Sequence, residues 1–324
     1  FDAEWERDMR ESPENASYRG DNRYNDRWTD LSLAAIAQRE AADREVLAQL
    51  RAIDRSALSE QDKLNYDVFL WQQQKAVERQ KYKEWQRPLS QRGGVQNAEG
   101  IAEVLRFSTA KDYRDWLARI EGMPLQLEQT TALMREGLKA RNTPPRVLME
   151  RVTGQIAAQI VDDPTRSPFY KPFTKFPEAV LQAERDALQA QAKQVIADRL
   201  VPAYRQFATF FNDEYLPGTR TTIAAADLPD GKAYYDFLAA SFTTTDLSAD
   251  AIHAIGLKEV ARIRAEMEKV KAEVGFKGTL NQFFDYVRTD PKFKPASREA
   301  RRRRAPKFRI QRSVCCPFGR TEIG

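Results

Sequence analysis

The stretch LSADAIHAIGLKEVARIRAEMEKVKAEVGF, residues 247–276, gives the clearest indication of the fold of this chain. Ser248 lies where a helix N-cap is expected, and Gly275 lies where a glycine commonly ends a helix. Between them, apolar residues recur at steps of three and four, the period of one helix face; they are Val260, Ile263, Met267, Val270 and Val274. The spacing predicts a long helix with an apolar seam buried against another helix.

Helical periods continue along the rest of the chain. Helices are predicted at about 31–53, 58–85, 109–139, 177–211 and 279–293. Pro124 is expected to divide the third of these, because proline lacks the amide hydrogen of a helix interior. The segment VDDPTRSPFYKPFTKFP, residues 161–177, contains four prolines and four aromatic residues. It is expected to lie as an extended arm over the helices. The alternative is that the segment serves as a proline-rich peptide ligand. The predicted fold class is mainly α, a multi-helix array.

The excess positive charge of the chain lies at one end. The 324 residues have a net charge of +5, with a mean hydropathy of −0.65. Residues 297–324 contain nine lysines and arginines against two glutamates, so the remainder carries a net charge of −2. No run approaches the ~20 apolar residues that a membrane-spanning helix needs. No transmembrane segment is therefore predicted, and only the basic end suggests an acidic partner.

Familiar catalytic patterns are few. The sequence contains no glycine-rich phosphate loop and no Gly-x-Ser-x-Gly nucleophile elbow. Ser108 and Lys111 have the spacing of a serine–lysine nucleophile pair, but Ser108 or Thr109 equally suits the cap of the following helix. Asp250 and His253 lie one helical turn apart, as in di-iron bundles, which need two such histidines. His253 is the only histidine. A partly buried, hydrogen-bonded imidazole is the simpler expectation for it.

Cysteine usage and the start of the chain add little about location. Cys315 and Cys316 are the only cysteines. Adjacent cysteines rarely pair with each other, so no disulfide framework and no thiolate metal site are expected. The chain begins at Phe1, without a methionine or a charged-then-apolar leader. Either a leader has been removed or the sequence starts inside a longer protein.

Several segments together resemble one bacterial family. The blocks at 231–270 and 275–293 contain, in order, Tyr-Tyr, Thr-Thr-Thr-Asp-Leu, Ile-His-x-x-Gly-Leu-x-Glu-Val and Arg-Thr-Asp-Pro-x-Phe. The segments SPFYKPF (167–173) and ESPENASYRGDNRYNDRWTDLS (11–32) extend the pattern. Through these elements, residues 1–297 resemble the bacterial domain-of-unknown-function 885 family.

The resemblance implies a helical body similar to the N-terminal half of a zincin-like metallopeptidase. Family members are often exported, many as lipoproteins, which implies a periplasmic or cell-envelope location. The family's zinc motif, of the type His-Glu-x-x-Pro-Gly-His, lies C-terminal of the Arg-Thr-Asp-Pro-x-Phe element. In such motifs two histidines bind zinc and the glutamate activates the bound water. This chain contains no such motif, so no metal ligand is predicted in it, and zinc is expected for the full-length family protein.

The same resemblance implies a set of residues that face a substrate cleft. The candidates are Tyr234, Tyr235, Thr243, Thr244 and His253. Their alternative role is structural, because aromatic residues on an amphipathic helix more often belong to a core. Catalytic residues are not predicted from this sequence.

The basic end departs from the pattern of the body. After "ASREA" the apolar period is lost in RRRRAPKFRIQRSVCCPFG. Its content of Arg, Ala, Pro, Cys and Gly is typical of a shifted reading frame in GC-rich coding sequence. Residues 298–324 are therefore interpreted as a frameshifted or disordered tail after a helical body, 1–297. A genuine basic arm that binds nucleic acid through phosphates is the alternative.

Two functions follow from these observations. The first is the N-terminal helical portion of a bacterial zinc metallopeptidase-like hydrolase, without the zinc motif and inactive alone. Its substrate in the intact protein would be a peptide or a small molecule, and nucleic acid is not expected to bind. The alternative is a non-enzymatic helical binding module with a basic C-terminal arm. If the first function is correct, helices that pack on the missing part of the protein would expose apolar faces, and the chain would self-associate. Parts of Phe283, Phe284 and Val287 are expected to be exposed in this way.

Overall fold

The computed structural model describes residues 1–294, and its regular elements are helices. The α-helices are α1 (Asp2–Glu11), α2 (Pro13–Tyr18), α3 (Leu33–Arg51), α4 (Glu60–Arg79), α5 (Ala110–Lys139), α6 (Arg146–Ala157), α7 (Gln182–Val195), α8 (Val201–Phe210), α9 (Leu216–Gly218), α10 (Gly231–Thr243), α11 (Ala249–Glu273) and α12 (Leu280–Thr289). Within residues 1–294 there is no β-strand, and two isolated bridges, Ser90–Gly93 and Pro145–Arg220, are the only β contacts. The predicted mainly α, multi-helix fold is confirmed.

The chain divides into two compact units. The first, Phe1–Thr245, contains α1 to α10, and the second begins at Asp246 and contains α11 and α12. The predicted boundary between a helical body, 1–297, and a tail, 298–324, lies outside the described residues. That boundary and the frameshift origin of the tail stay predictions.

Side-chain caps define the starts of several helices where the sequence predicted them. The Ser248 hydroxyl accepts a hydrogen bond from the Ala251 amide at 3.2 Å, so α11 starts as expected. At the start of α5, Thr109 and Asp112 form a capping box. The Lys111 ammonium donates to the Asp115 carboxylate at 2.5 Å. Ser108 and Lys111 therefore belong to a helix start and do not form a nucleophile pair.

α5 is a single helix of 30 residues, although Pro124 was expected to divide it. A proline inside a helix removes one backbone hydrogen bond and crowds the preceding turn, which costs about 3 kcal/mol. The neighbouring side chains Ile120, Met123 and Leu127 are buried on both sides of the proline. Their burial keeps the two halves of the helix aligned, because each buried side chain of this size contributes about 1.5–3 kcal/mol.

The proline-rich segment packs into the core of the first unit beside α5. It forms two short 3₁₀ helices, Pro164–Arg166 and Pro168–Thr174, and is therefore turned where an extended arm was expected. Phe169 stacks on Trp116 with ring centroids 5.7 Å apart, and its carbonyl accepts from the Trp116 indole N–H at 3.0 Å. The interpretation of the aromatic residues as packing residues is confirmed, because three of them are buried: Phe169, Tyr170 and Phe173.

A buried arginine of α5 fastens the N-terminal segment to the core. The Arg119 guanidinium donates to the Arg27 carbonyl and to the Ser17 hydroxyl, both at 2.9 Å, and more weakly to two other carbonyls. It also lies over the Trp28 ring, 5.1 Å from the centroid. Burial lowers the pKa of Arg119 to about 10. Its hydrogen bonds to backbone carbonyls compensate for the lost solvation of a charge that has no ion pair among the described residues.

The apolar seam predicted in α11 is exposed, which corrects the expectation of a buried seam. None of the residues of α11 is buried, and Val260, Val270 and Val274 are each at least half exposed. Within the second unit, α12 packs near the C-terminal end of α11, where Phe276 contacts Phe283 with ring centroids 5.4 Å apart. That contact buries Phe283, against the expectation that it would be exposed. The seam therefore lies on a helix face that no described element of this unit covers.

Candidate functional site

The helix α10, which contains three of the predicted site residues and is followed directly by a fourth, Thr244, is held by tight backbone geometry at both ends. Before it, Asp230 adopts a left-handed conformation with φ 53°. The next residue is Gly231, and only glycine fits there because a Cβ atom would collide with the carbonyl oxygen of Ala225. After it, Thr244 is also left-handed, and its amide donates to the Ala240 carbonyl at 2.9 Å. These two ends fix which face of α10 meets the rest of the first unit.

Tyr234 and Phe237 lie on one face of α10, and this face packs on Tyr82. The centroid of the Tyr82 ring is 4.9 Å from that of Tyr234 and 5.2 Å from that of Phe237. The Tyr82 hydroxyl donates to the Ala233 carbonyl at 3.1 Å. Tyr82 and Phe237 are buried, whereas Tyr234 is half-buried. The stack therefore places the phenol of Tyr234 at the edge of a rigid aromatic base.

The phenol of Tyr234 is bound to a carboxylate from a distant part of the sequence. Its hydroxyl donates to Oε1 of Glu84 at 2.8 Å. The same oxygen lies 3.7 Å from Nε of Arg79. Burial, followed by the hydrogen bond to Glu84, raises the pKa of Tyr234. The phenol is therefore a neutral hydrogen-bond donor at physiological pH.

Arg87 lies over the ring of this phenol and has no carboxylate partner among residues 1–294. Its guanidinium is 4.9 Å from the centroid of the Tyr234 ring, a cation–π contact. Among residues 1–294 no aspartate or glutamate forms an ion pair with Arg87. Burial raises the pKa of Tyr215, and the positive charge of Arg87 opposes that rise. Burial lowers the pKa of Arg220, and Arg87 adds to the effect by like-charge repulsion.

We call these residues the Tyr234 cluster: Lys75, Arg79, Glu84, Arg87, Tyr234 and Phe237. Lys75 and Arg79 lie over the Phe237 ring at 5.3 and 5.9 Å from its centroid. Lys75 also forms an ion pair with Glu78 at 3.1 Å, and Arg79 lies near Glu84, so Arg87 is the cation of the cluster without a carboxylate partner among residues 1–294. A guanidinium without a carboxylate partner, stacked on a rigid ring, can bind an anion through paired N–H groups. The cluster is chemically suited to a carboxylate or another oxyanion.

The other predicted cleft residues lie elsewhere on the surface. Tyr235 is 51% exposed, next to Tyr234 but outside the aromatic stack. Thr243 and Thr244 are exposed at the C-terminal end of α10, where the Thr243 hydroxyl lies 2.9 Å from that of Thr245. His253 is exposed on α11 in the second unit, which corrects the expectation of a partly buried imidazole. Of the five predicted residues, Tyr234 is the one that joins this cluster, and a cleft role stays a prediction for all five.

Sequence reasoning missed Glu84 and Arg87. They belong to KYKEWQRP, residues 81–88, which lies about 150 positions before Tyr234. Most of this segment was predicted to continue the helix of residues 58–85, but α4 ends at Arg79. The segment's density of charged and aromatic residues in a break between helices is the one signal that could have singled it out. The pairing with α10 depends on tertiary packing, which no local pattern contains.

The described residues do not fit the zinc site that the family resemblance implies. In the part of the chain that the structure describes, no group of three or more His, Cys, Asp or Glu side chains could bind one metal ion. His253, the single imidazole, is exposed on a helix face. A catalytic zinc needs three protein ligands with an open fourth position. No step of a reaction is therefore assigned to a metal held by these residues.

No helix within residues 1–294 is both long and apolar enough to cross a membrane.

In comparison with solved structures, the chain is similar to the crystal structure of a putative lipoprotein from Colwellia psychrerythraea. The TM-score is 0.77 at 18% sequence identity, and the match covers 91% of this chain. It covers 54% of the other chain, so this sequence spans about half the length of that structure. At this level of identity the similarity establishes the fold.

None of the curated proteins compared with the chain matches it. A family description does match, over residues 13–308, and it reads "Bacterial protein of unknown function (DUF885)". The match includes the segment of the Tyr234 cluster and continues past Ser297 into the basic end. Since it covers most of the sequence, the chain belongs to the DUF885 family.

Proposed function

We propose that this chain is the N-terminal, substrate-binding portion of a cell-envelope hydrolase of the metallopeptidase-like kind. In this proposal the ligands of the catalytic zinc lie on a further part of the protein, and the chain alone is inactive. The proposal rests on one observation: the described residues form a surface that can bind an anion, but they contain no group of side chains that could bind a catalytic metal ion. The Tyr234 cluster offers an unpaired guanidinium on a rigid ring, whereas residues 1–294 contain no group of metal ligands.

Two findings support a larger protein. The chain spans 54% of the similar solved structure, and α11 exposes an apolar seam of the kind that helices bury against partners. Family membership and the description of the solved structure as a putative lipoprotein support the envelope location.

The Tyr234 cluster gives the substrate portion a chemical preference. Arg87 would bind a carboxylate of the substrate, with the phenol of Tyr234 as a second donor after it leaves Glu84. Arg79, which lies 3.7 Å from Glu84, would compensate the charge of that carboxylate once the phenol has left it. A peptide with a free C-terminal carboxylate is a ligand of this class.

Metal content and hydrolysis test the proposal. The chain as printed is expected to bind no stoichiometric zinc and to hydrolyse no peptide. A family protein of about the length of the solved relative is expected to hydrolyse peptides and to lose this activity with a chelator. Sequencing the gene from codon 290 onward, in three frames, identifies the continuation to express. One tightly bound zinc per chain in the present sequence would contradict the proposal, as would a longer protein without hydrolytic activity.

Ligand binding tests the substrate role of the cluster separately. The chain is expected to bind N-acetyl-dialanine more tightly than its C-terminal amide, and Arg87→Met is expected to abolish this preference. Arg166→Met, at an exposed arginine outside the cluster, is the matched control and is expected to retain it. Equal binding of acid and amide by the unmodified chain would remove Arg87 from the proposal.

A further inference from the structure

The first unit contains a cleft that lies apart from the Tyr234 cluster. It has a volume of about 660 Å³ and lies between the 3₁₀ helix Val95–Glu103, the start of α5 and the proline-rich segment. This volume is in the range of sites for small organic molecules, about 300–1,000 Å³. The cleft and the Tyr234 cluster have no residue in common, so the inference below is independent of the proposed function.

The walls of the cleft are aromatic and rigid. The Tyr113 ring stacks on Phe176 with centroids 4.3 Å apart and contacts Phe107 at 5.1 Å. The Tyr113 hydroxyl donates to the Lys175 carbonyl at 2.8 Å, which ties α5 to the proline-rich segment. Prolines complete the wall; they are Pro168, Pro172 and Pro177. A cleft built from fixed rings and prolines needs little reorganisation when a ligand enters.

One charged group of the cleft is left without a counter-ion. Four charged side chains line it, and two of them, Glu103 and Lys171, form an exposed ion pair at 3.5 Å. Glu99 is half-buried, and its Oε2 accepts a hydrogen bond from Gln159 at 3.1 Å. No cation among residues 1–294 pairs with it. Lys175, the fourth charged residue, is exposed.

The surroundings of Glu99 make its negative charge costly. Burial raises the pKa of Glu99, hydrogen bonds from its own backbone and from Gln159 offset part of this rise, and the nearby charge of Glu103 adds to it. A desolvated carboxylate next to aromatic walls is stabilised by any cation that enters, because Coulomb attraction is stronger in a medium of low dielectric constant. The aromatic faces attract the same cation through their quadrupoles.

We propose that this cleft binds an organic cation, an amine with an apolar body. The ammonium group lies against the carboxylate of Glu99, and the apolar body lies against Phe107, Tyr113 and Phe176. The hydrogen bond from Gln159 holds the carboxylate in place for this contact. The charge pair of Glu103 and Lys171 lies at the exposed side and does not take part.

Three probes of one shape test the proposal on the full chain. Phenethylammonium, 2-phenylethanol and phenylacetate have a similar apolar body and differ in the charge of the polar end. We expect phenethylammonium to bind at least about tenfold more tightly than the alcohol, and phenylacetate to bind most weakly. Calorimetric titration or ligand-observed NMR measures the three affinities. Equal binding of the ammonium and the alcohol, or no binding of the ammonium at millimolar concentration, would overturn the proposal.

Two matched variants distinguish Glu99 from the general charge of the surface. Glu99→Gln keeps the shape and an acceptor for Gln159, and we expect it to remove the preference for the ammonium. It is expected to fold at least as stably as the unmodified chain, because it removes a desolvated charge. Glu103→Gln, in the same cleft, is expected to change the affinity less than about threefold. An equal loss in both variants would mean that surface charge attracts the probe, and would overturn the assignment to Glu99.

Discussion

α5 and α11 are the two longest helices of the described chain, and their environments are opposite. α5 spans 30 residues and contributes twelve buried residues to the first unit. α11 spans 25 residues and contributes none to the second. Both begin at a side-chain cap and both have apolar residues at helical spacing. Capping and period therefore determine that a helix forms, whereas burial depends on whether another element covers its apolar face.

The comparison also separates two kinds of polar interaction. On α5, Arg119 is fully buried and bonded to backbone carbonyls of the N-terminal segment. On α11, Arg262 forms ion pairs with Glu259 and Glu266, and all three side chains are about half exposed. Exposed pairs of this kind contribute little because water and salt screen them, whereas a buried charge that loses its partners costs several kcal/mol. The same residue type thus has different consequences in the two helices.

The largest effect on stability is expected from a substitution of Arg119. Arg119→Met fills similar space but removes the hydrogen bonds to the Arg27 carbonyl and to the buried Ser17 hydroxyl. We expect the free energy of unfolding of the first unit to fall by about 3 kcal/mol or more. Urea unfolding measures it.

A control on the same helix makes the Arg119 result specific. Arg114 is exposed and pairs with Glu184 at 3.4 Å, so Arg114→Met is expected to change stability by less than about 0.5 kcal/mol. Similar losses in the two variants would mean that burial in α5 does not distinguish these arginines.

The next largest effect is expected from a methyl group on α5. At Gly137 an added Cβ would collide with the carbonyl oxygen of Gln86 and lie 3.1 Å from that of Asn142. Both neighbours are backbone atoms, which cannot move as a side chain can. We expect Gly137→Ala to destabilise the first unit by about 1–3 kcal/mol, despite the better helix propensity of alanine. Unchanged urea unfolding would show that the close approach relaxes without cost.

The same substitution on α11 is expected to have the opposite sign. Around Gly256 an added Cβ would meet no atom within 4 Å. Only helix propensity then remains, and it favours alanine by about 0.5–1 kcal/mol in a helix interior. Gly256→Ala should therefore raise the stability of the second unit by about this amount, measured as slower amide hydrogen exchange in α11. Faster exchange would contradict the open environment of this glycine.

The sequence predicted local features of the fold more accurately than tertiary ones. Caps at Thr109 and Ser248 were predicted because their hydrogen bonds are formed within one helical turn. The continuity of α5 through Pro124 was not predicted, because it depends on packing of the surrounding side chains, which outweighs the cost of the proline. In the candidate site, Tyr234 was predicted from the family segment, but its contacts to Glu84 and Arg87 join segments about 150 residues apart. Such contacts follow from packing and not from any local spacing.

The smallest effect on stability, with the clearest effect on association, is expected at the seam of α11. Val270 is 50% exposed, so Val270→Lys removes apolar surface that is largely in contact with water. We expect the free energy of unfolding to change by less than about 0.5 kcal/mol, because exposed substitutions rarely cost more. Self-association, measured by sedimentation velocity, should decrease because the contiguous apolar face is interrupted.

The control for the seam is a lysine on another face of the same helix. Glu266→Lys adds charge at an exposed position outside the seam and is expected to leave self-association nearly unchanged. If Val270→Lys unfolds the second unit, the seam is buried in solution, and α11 resembles α5 more closely than its exposure indicates. If both lysine variants reduce association equally, net charge and not the seam controls it. A loss confined to Val270→Lys would identify the seam as the surface through which the chain self-associates.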